Sequence, residues 1–162
     1  MTQDQIKEIL DRHQHWLNED CEGWEDMKAD LYGADLRGAN LYGADLRGAE
    51  NTPFIPYACP DFGSFIGFKK ADNKIVVLEI PEDAKRLSAN GRKCRCDKAK
   101  VLGIQNIDGS QSDLIEVVSD RTNDFVYKVG EVVSVDDFDE DRWNECSTGI
   151  HFFINREEAV RY

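Results

Sequence analysis

The chain has 162 residues, 41% hydrophobic and 32% charged, which excludes a disordered tail and fits one domain with a small appendage or two very small units. Its net charge of -12, from 32 acidic against 20 basic side chains, argues against general attraction to DNA or to an anionic membrane. No run approaches the roughly 18 consecutive apolar residues of a membrane-spanning helix, MTQDQIKEIL lacks the basic start and apolar core of a secretory signal, and an odd count of five cysteines suits a reduced, cytoplasmic setting.

The first 28 residues read as a helical cap. Ile6, Ile9, Leu10, His13, Trp16 and Leu17 recur at three- and four-residue steps and share one helix face. Thr2 followed by Gln5 fits a capping box at the helix start. His13 falls on the apolar face and His15 on the wet one, about 200° apart, so the pair cannot chelate one metal. An acidic stretch around Gly23 then predicts a loop or short second helix ending near Met27.

Residues 29–50 repeat every five: ADLYG, ADLRG, ANLYG, ADLRG. Five matches neither the helix nor the strand period, and four glycines would each cost a helix about 1 kcal/mol, so the segment is a solenoid. It resembles the pentapeptide-repeat family, with its A-(D/N)-L-x-x motif. The resemblance implies one turn of a right-handed quadrilateral β-helix. Leu31, Leu36, Leu41 and Leu46 would point inward with Ala29, Ala34, Ala39 and Ala44, while Tyr32, Arg37, Tyr42 and Arg47 would point outward. Long members of that family are rod-shaped acidic mimics of DNA, a role for which one coil is too short. A single coil leaves both ends of its leucine stack open; the first helix is the expected lid on one end and the following segment on the other.

Residues 51–162 form the third part. NTPFIPYACP is a proline-rich connector. After it, runs rich in Val, Ile and Phe predict strands over 64–69, 74–80, 92–96, 100–107, 113–118, 125–129, 131–135 and 149–154, separated by Asp-Asn, Asn-Gly and Asp-Gly turn signals. Asn155 followed by Glu158 fits a second capping box, opening a short helix to Tyr162. The expected fold is therefore mainly β with flanking helices (α+β), divided at 1–28, 29–50 and 51–162. The runs KCRCDKAKV (93–101), FVYKVGE (125–131) and RWNECSTGIHFFINREEAVRY (142–162) resemble an uncharacterised domain common in bacteriophage proteins, often found after pentapeptide repeats. That resemblance implies a phage protein acting in the cytoplasm of a bacterial host.

Charge is segregated. Residues 51–112 carry a balance of +3 and residues 113–162 one of -8. The basic excess concentrates in Lys85, Arg86, Arg92, Lys93, Arg95, Lys98 and Lys100. This island either binds phosphates or another anion, or pairs with the chain's own Asp136, Asp137, Asp139, Glu140 and Asp141. The acidic run could in turn face a basic protein. Cys94 and Cys96, two apart in a strand, share one face; C-x-C is a weak zinc signal, and small buried cysteines fit it better. Cys146 and His151 could form a thiol–base pair or be a structural cysteine and a strand histidine. Gly149-Ile150-His151-Phe152 and the helix after it are also similar to a strand–helix element of ADP-ribosyltransferases, where Gly-Ile-Tyr-Phe lines the nicotinamide pocket. Here His151 stands at the tyrosine position, and no glutamate-bearing strand follows.

No phosphate-binding loop, dinucleotide fingerprint, zinc-protease motif or nucleophile elbow is present. The sequence thus predicts binding rather than catalysis, with no catalytic residue, metal or cofactor implied. The first expectation is a phage accessory protein that engages a host protein, such as a defence or nucleic-acid-handling factor, through the acidic surfaces of 19–26 and 136–141 with Tyr32 and Tyr42. The alternative is sequestration of a phosphate-bearing small molecule by the basic island; a third is a cysteine- or NAD-dependent enzyme using Cys146 and His151.

Overall fold

The computed structural model describes residues 2–32, 34, 36, 41, 44–52, 54–122 and 124–162. The chain divides into two compact units, residues 1–56 and 57–162. The architecture is mainly β, with a helix near each end and antiparallel sheets of which none closes into a barrel among the described residues. No described helix is long and apolar enough to cross a membrane.

In the first unit, helix α1 runs Gln3–Asn18 and opens with the expected capping box: Gln5 N–H donates to Thr2 Oγ1 at 3.3 Å, and Thr2 N–H donates to Gln5 Oε1 at 2.8 Å. A single 3₁₀ turn, Trp24–Met27, ends the acidic stretch. The repeat then comes back alongside itself. Asp30 and Glu50, four repeat units apart, pair in parallel; Leu31 N–H donates to Glu50 O at 2.9 Å and Glu50 N–H to Ala29 O at 2.8 Å. At the corners an alanine amide donates to the leucine carbonyl three residues earlier, in Ala34–Leu31, Ala44–Leu41 and Ala49–Leu46. Ala29, Leu31, Leu41 and Leu46 are buried as expected, while Ala34, Leu36 and Ala44 are half-buried. Tyr32 is 83% exposed. Arg37, Ala39 and Tyr42 lie outside the described residues.

His13 bolts α1 to the coil. It is fully buried; its Nδ1 accepts from Ala29 N–H at 3.2 Å, so Nε2 carries the ring proton and donates to Arg47 O at 3.1 Å. The bond from Ala29 needs the neutral ring, because a protonated Nδ1 cannot accept. Burial lowers the pKa of His13 from the usual 6.5, and outweighs the Arg47 carbonyl and the Asp45 carboxylate, which act the other way. Because the folded pKa is depressed, this stabilisation is complete above 6.5 and is lost as pH falls from there through the folded value. Hydrogen exchange of the α1 amides, corrected for intrinsic rates, should therefore quicken as pH falls below about 6.5 in the native chain but not in His13→Gln. A flat native profile contradicts this role for His13.

Among its described residues the second unit holds nine strands: β1 Phe65–Ala71, β2 Lys74–Ile80, β3 Arg86–Ser88, β4 Cys94–Cys96, β5 Lys98–Asn106, β6 Glu116–Val118, β7 Val126–Lys128, β8 Val132–Ser134 and β9 Ile150–Phe152. Each of the eight expected runs overlaps one of them; β3 is the addition. They form sheets of order β1-β2-β5-β8, β3-β4-β9 and β6-β7. Asp72 and Asn73 take positive φ in the tight β1–β2 turn that Asp-Asn signals. The first two sheets meet where Phe68 and Phe153 exchange both backbone hydrogen bonds, each 2.8 Å. Ile75, Val76, Leu78, Ile104, Ile150 and Phe152 are core residues. Helix α2, Arg156–Arg161, adds Ala159 against Ile75 and Phe153. Its predicted capping box is corrected: Asn155 caps Glu157 N–H, but Glu158 turns away to accept from Arg92 Nε at 2.8 Å.

Candidate anion-binding cavity

Strands β4 and β9 pair antiparallel, with Cys94 opposite Phe152, Arg95 opposite His151 and Cys96 opposite Ile150. Alternation then sorts side chains by face. Cys94, Cys96, Ile150 and Phe152 enter the core, while Lys93, Arg95 and His151 sit on the other side. There Lys93 and His151 border a cavity of about 520 Å³. Its cations are Lys69 from β1, Lys93 ahead of β4, and Arg121 from the β6–β7 connection. Phe125, Tyr127, Val135 and Ile150 supply apolar wall. Ser119, Thr122, Ser147 and Thr148 supply hydroxyls, and Asp137 the lining carboxylate.

Lys93 is only 8% exposed. Its Nζ lies 3.3 Å from Cys146 Sγ and 3.2 Å from Glu145 Oε2, with the Tyr162 ring beneath at 5.6 Å. Burial works against its charge, but the contacts to Cys146 and Glu145 prevail and hold its pKa above the ordinary lysine value. Lys69 is the reverse case. Burial lowers its pKa, with Asp120 opposing and Arg121 adding to the effect. His151 is pushed down to about 4, first by burial and then by Lys93, Lys69, Arg95 and Arg121. Its Nε2 is buried without a hydrogen-bond partner among the described residues. Cys146 and His151 therefore border one cavity, but it is Lys93 that lies against the thiol.

Gly149 shapes the way into β9. Its φ is +146°, and a Cβ there would lie 3.2 Å from the Phe138 ring and 3.3 Å from Arg95 Cβ. Only glycine fits this bend between the cavity wall and the strand that bears His151.

The basic island is dispersed. Lys93 lines the cavity, and Arg95 lies behind its wall. Arg95 is 1% exposed, its Nη1 donating to Thr148 O and Asp139 O and its Nη2 to Asp141 O. Arg86 clamps the carbonyls of Gly63, Pro81, Glu82 and Ala84. Lys85 pairs with Glu140, Arg92 with Glu158, and Lys98 with Asp83; Lys100 is exposed. In the acidic run, Asp136, Asp137, Glu140 and Asp141 are exposed, while Asp139 is half-buried and accepts from Asn144 and the Asp141 amide.

Lys69 and Arg121 did not emerge from the sequence pattern. Lys69 had a signal: Phe65, Gly67, Lys69 and Ala71 share one face of β1, so a lysine occupies an inward register. Arg121 sits in a turn and had none.

The cysteines of β4 behave as core residues. Cys94 and Cys59 hydrogen-bond to each other, and this contact with burial pushes the Cys94 thiol up; burial does the same to Cys96. Protonated core thiols are poor metal ligands. Among the described residues, His15, Asp20 and Cys21 are the group close enough to share an ion, and there His15 Nδ1 already bonds Asp20 at 2.6 Å on an exposed helix end.

Two family models match the chain. One, described as a family of unknown function (DUF5758), covers residues 55–159. The chain belongs to this family. The other, pentapeptide repeats in eight copies, covers residues 28–50, where this chain carries four A-(D/N)-L-x-x units. No curated protein and no solved structure matches the chain. The DUF5758 match spans every strand among the described residues and the whole cavity, so the candidate site belongs to that domain and not to the repeat.

Proposed function

We propose that the DUF5758 domain of this chain is a receptor for a small organic anion, phosphate-bearing in the first instance, which it holds without chemical conversion. The observation that carries this reading is the cavity itself: three cationic side chains from separate parts of the fold converge on it, against one lining carboxylate. Its volume lies within the roughly 300–1,000 Å³ of small-molecule sites. The cations and hydroxyls suit an anionic head, and Phe125, Tyr127, Val135 and Ile150 suit a flat or apolar body. The acidic run supports a protein partner less well, because Glu140 is already paired with Lys85 and Asp139 with its own loop.

Calorimetry of the full chain against pyrophosphate, nucleoside monophosphates and cyclic dinucleotides tests the reading. At least one should bind, and Lys93→Met should weaken it by roughly 10–100-fold, the equivalent of a charge-assisted hydrogen bond. Arg121→Met should weaken it too, whereas Lys100→Met, away from the cavity, should not. Absence of heat with every member, or equal binding by Lys93→Met, overturns it.

A further inference from the structure

Resting on that anion-binding reading, we propose that His151 is the proton-linked contact of the cavity: an anion held by Lys69, Lys93 and Arg121 also takes a hydrogen bond from the His151 imidazolium, so that its binding draws a proton from solution. The argument begins with placement. His151 projects from β9 on the face shared with Lys93 and Arg95 of the neighbouring strand. Lys69 approaches from β1 and Arg121 from the β6–β7 connection, so positive charge reaches the ring from three separate parts of the fold. The acidic groups nearby are largely engaged. Glu145 is bound to Lys93, and Asp120 accepts from the Asp72 amide; Asp137 lines the cavity but is exposed. Cys146 lies against Lys93.

A buried ring nitrogen with no hydrogen-bond partner among the described residues is costly for the fold. An anion in the cavity changes both terms. It offers Nε2 an acceptor, and its charge offsets the cations that keep the imidazole neutral. By reciprocity, whatever factor the anion adds to the proton's affinity, the proton adds to the anion's. Affinity should then rise as pH falls, by up to about tenfold per pH unit, between the titration midpoint of the complex and that of the free protein.

Sulfate is the probe of choice, because it remains a dianion throughout the range in which histidine titrates and contributes no protons of its own. With three histidines in the chain, the imidazole signals of the full-length protein are few, and His151→Gln identifies the one that matters. At about pH 6 the His151 ring should be neutral without sulfate and should acquire the nitrogen shifts of imidazolium when sulfate saturates. Sulfate affinity should increase about tenfold between pH 7 and pH 5.5, and this dependence should vanish in His151→Gln although sulfate still binds at neutral pH. If sulfate binds and the ring stays neutral, or if the pH dependence survives in His151→Gln, the proton linkage is overturned while the anion cavity stands. If sulfate leaves the signals of Lys93 and Arg121 unmoved at every pH, the cavity reading falls with it.

Discussion

Arg95→Met is expected to destabilise the β-rich unit by about 3 kcal/mol and to abolish anion binding with it. The guanidinium reaches three backbone carbonyls, at 2.6 Å for Thr148, 2.9 Å for Asp141 and 3.0 Å for Asp139, and lies 5.4 Å from the centre of the Phe138 ring. Methionine fills much the same volume, so the loss is chiefly of hydrogen bonds. Three carbonyls lose a charged donor, and each buried carbonyl left unpaired costs about 1–3 kcal/mol. Part of this is offset, because burial works against the charge of Arg95. The segment held this way carries Cys146, Ser147 and Thr148, one wall of the cavity. Arg95→Lys should recover little, since an ammonium cannot reproduce the planar fork. Hydrogen exchange of the β4 and β9 amides gives the opening free energy directly. The contrast with Lys93→Met is the decisive one: Lys93→Met should lose binding and keep most of the stability, whereas Arg95→Met should lose both. Unchanged exchange in Arg95→Met rejects the clamp.

This distinction also marks how far the sequence could be read. Thr2 and Gln5 were legible because a capping box involves neighbours alone. Asn155 was legible as a cap, but its partner Glu158 was not, because Arg92, 66 residues away in sequence, takes that carboxylate. Strand β3 was missed for a related reason: Arg86-Leu87-Ser88 has no apolar alternation of its own and becomes a strand by pairing with β4. The basic island read as one patch because its residues adjoin in sequence. Strand geometry scatters them, with Lys93, just ahead of β4, and Arg95 on one side and the other five on β3, β5 or the connections. The alternation that places Cys94 and Cys96 inward also places Lys93 and Arg95 together, so half of that site was present in the period-two pattern. Lys69 was readable as a charge in a core register. Arg121 and the shared cavity of Cys146 and His151 were not readable, because they depend on how three sheets meet.

The five-residue period was the clearest signal, and its physical difficulty, an open leucine stack, yields the other large expected effect. Gly48→Ala should cost the first unit about 3 kcal/mol, whereas Gly23→Ala should cost about 1 kcal/mol. Both glycines have positive φ, +72° and +77°, so both substitutions incur left-handed strain. They differ in surroundings. A Cβ at Gly23 meets nothing within 4 Å, but one at Gly48 would lie 2.8 Å from the Trp16 ring, on the helix that closes the coil. Trp16 stacks on His13 at 5.3 Å with an interplanar angle of 9°, and His13 bonds Arg47, the residue before Gly48. A methyl group there pushes on the ring and through it on the His13 bolt, so the helix must lift or the corner must deform. Exchange at the α1 amides measures the cost of each variant. In a double-mutant cycle, Trp16→Leu should remove most of the extra penalty at Gly48 and none of the penalty at Gly23. Equal costs for the two glycines would mean that the helix does not bear on the coil at this corner, and that the leucine stack holds together by some other closure.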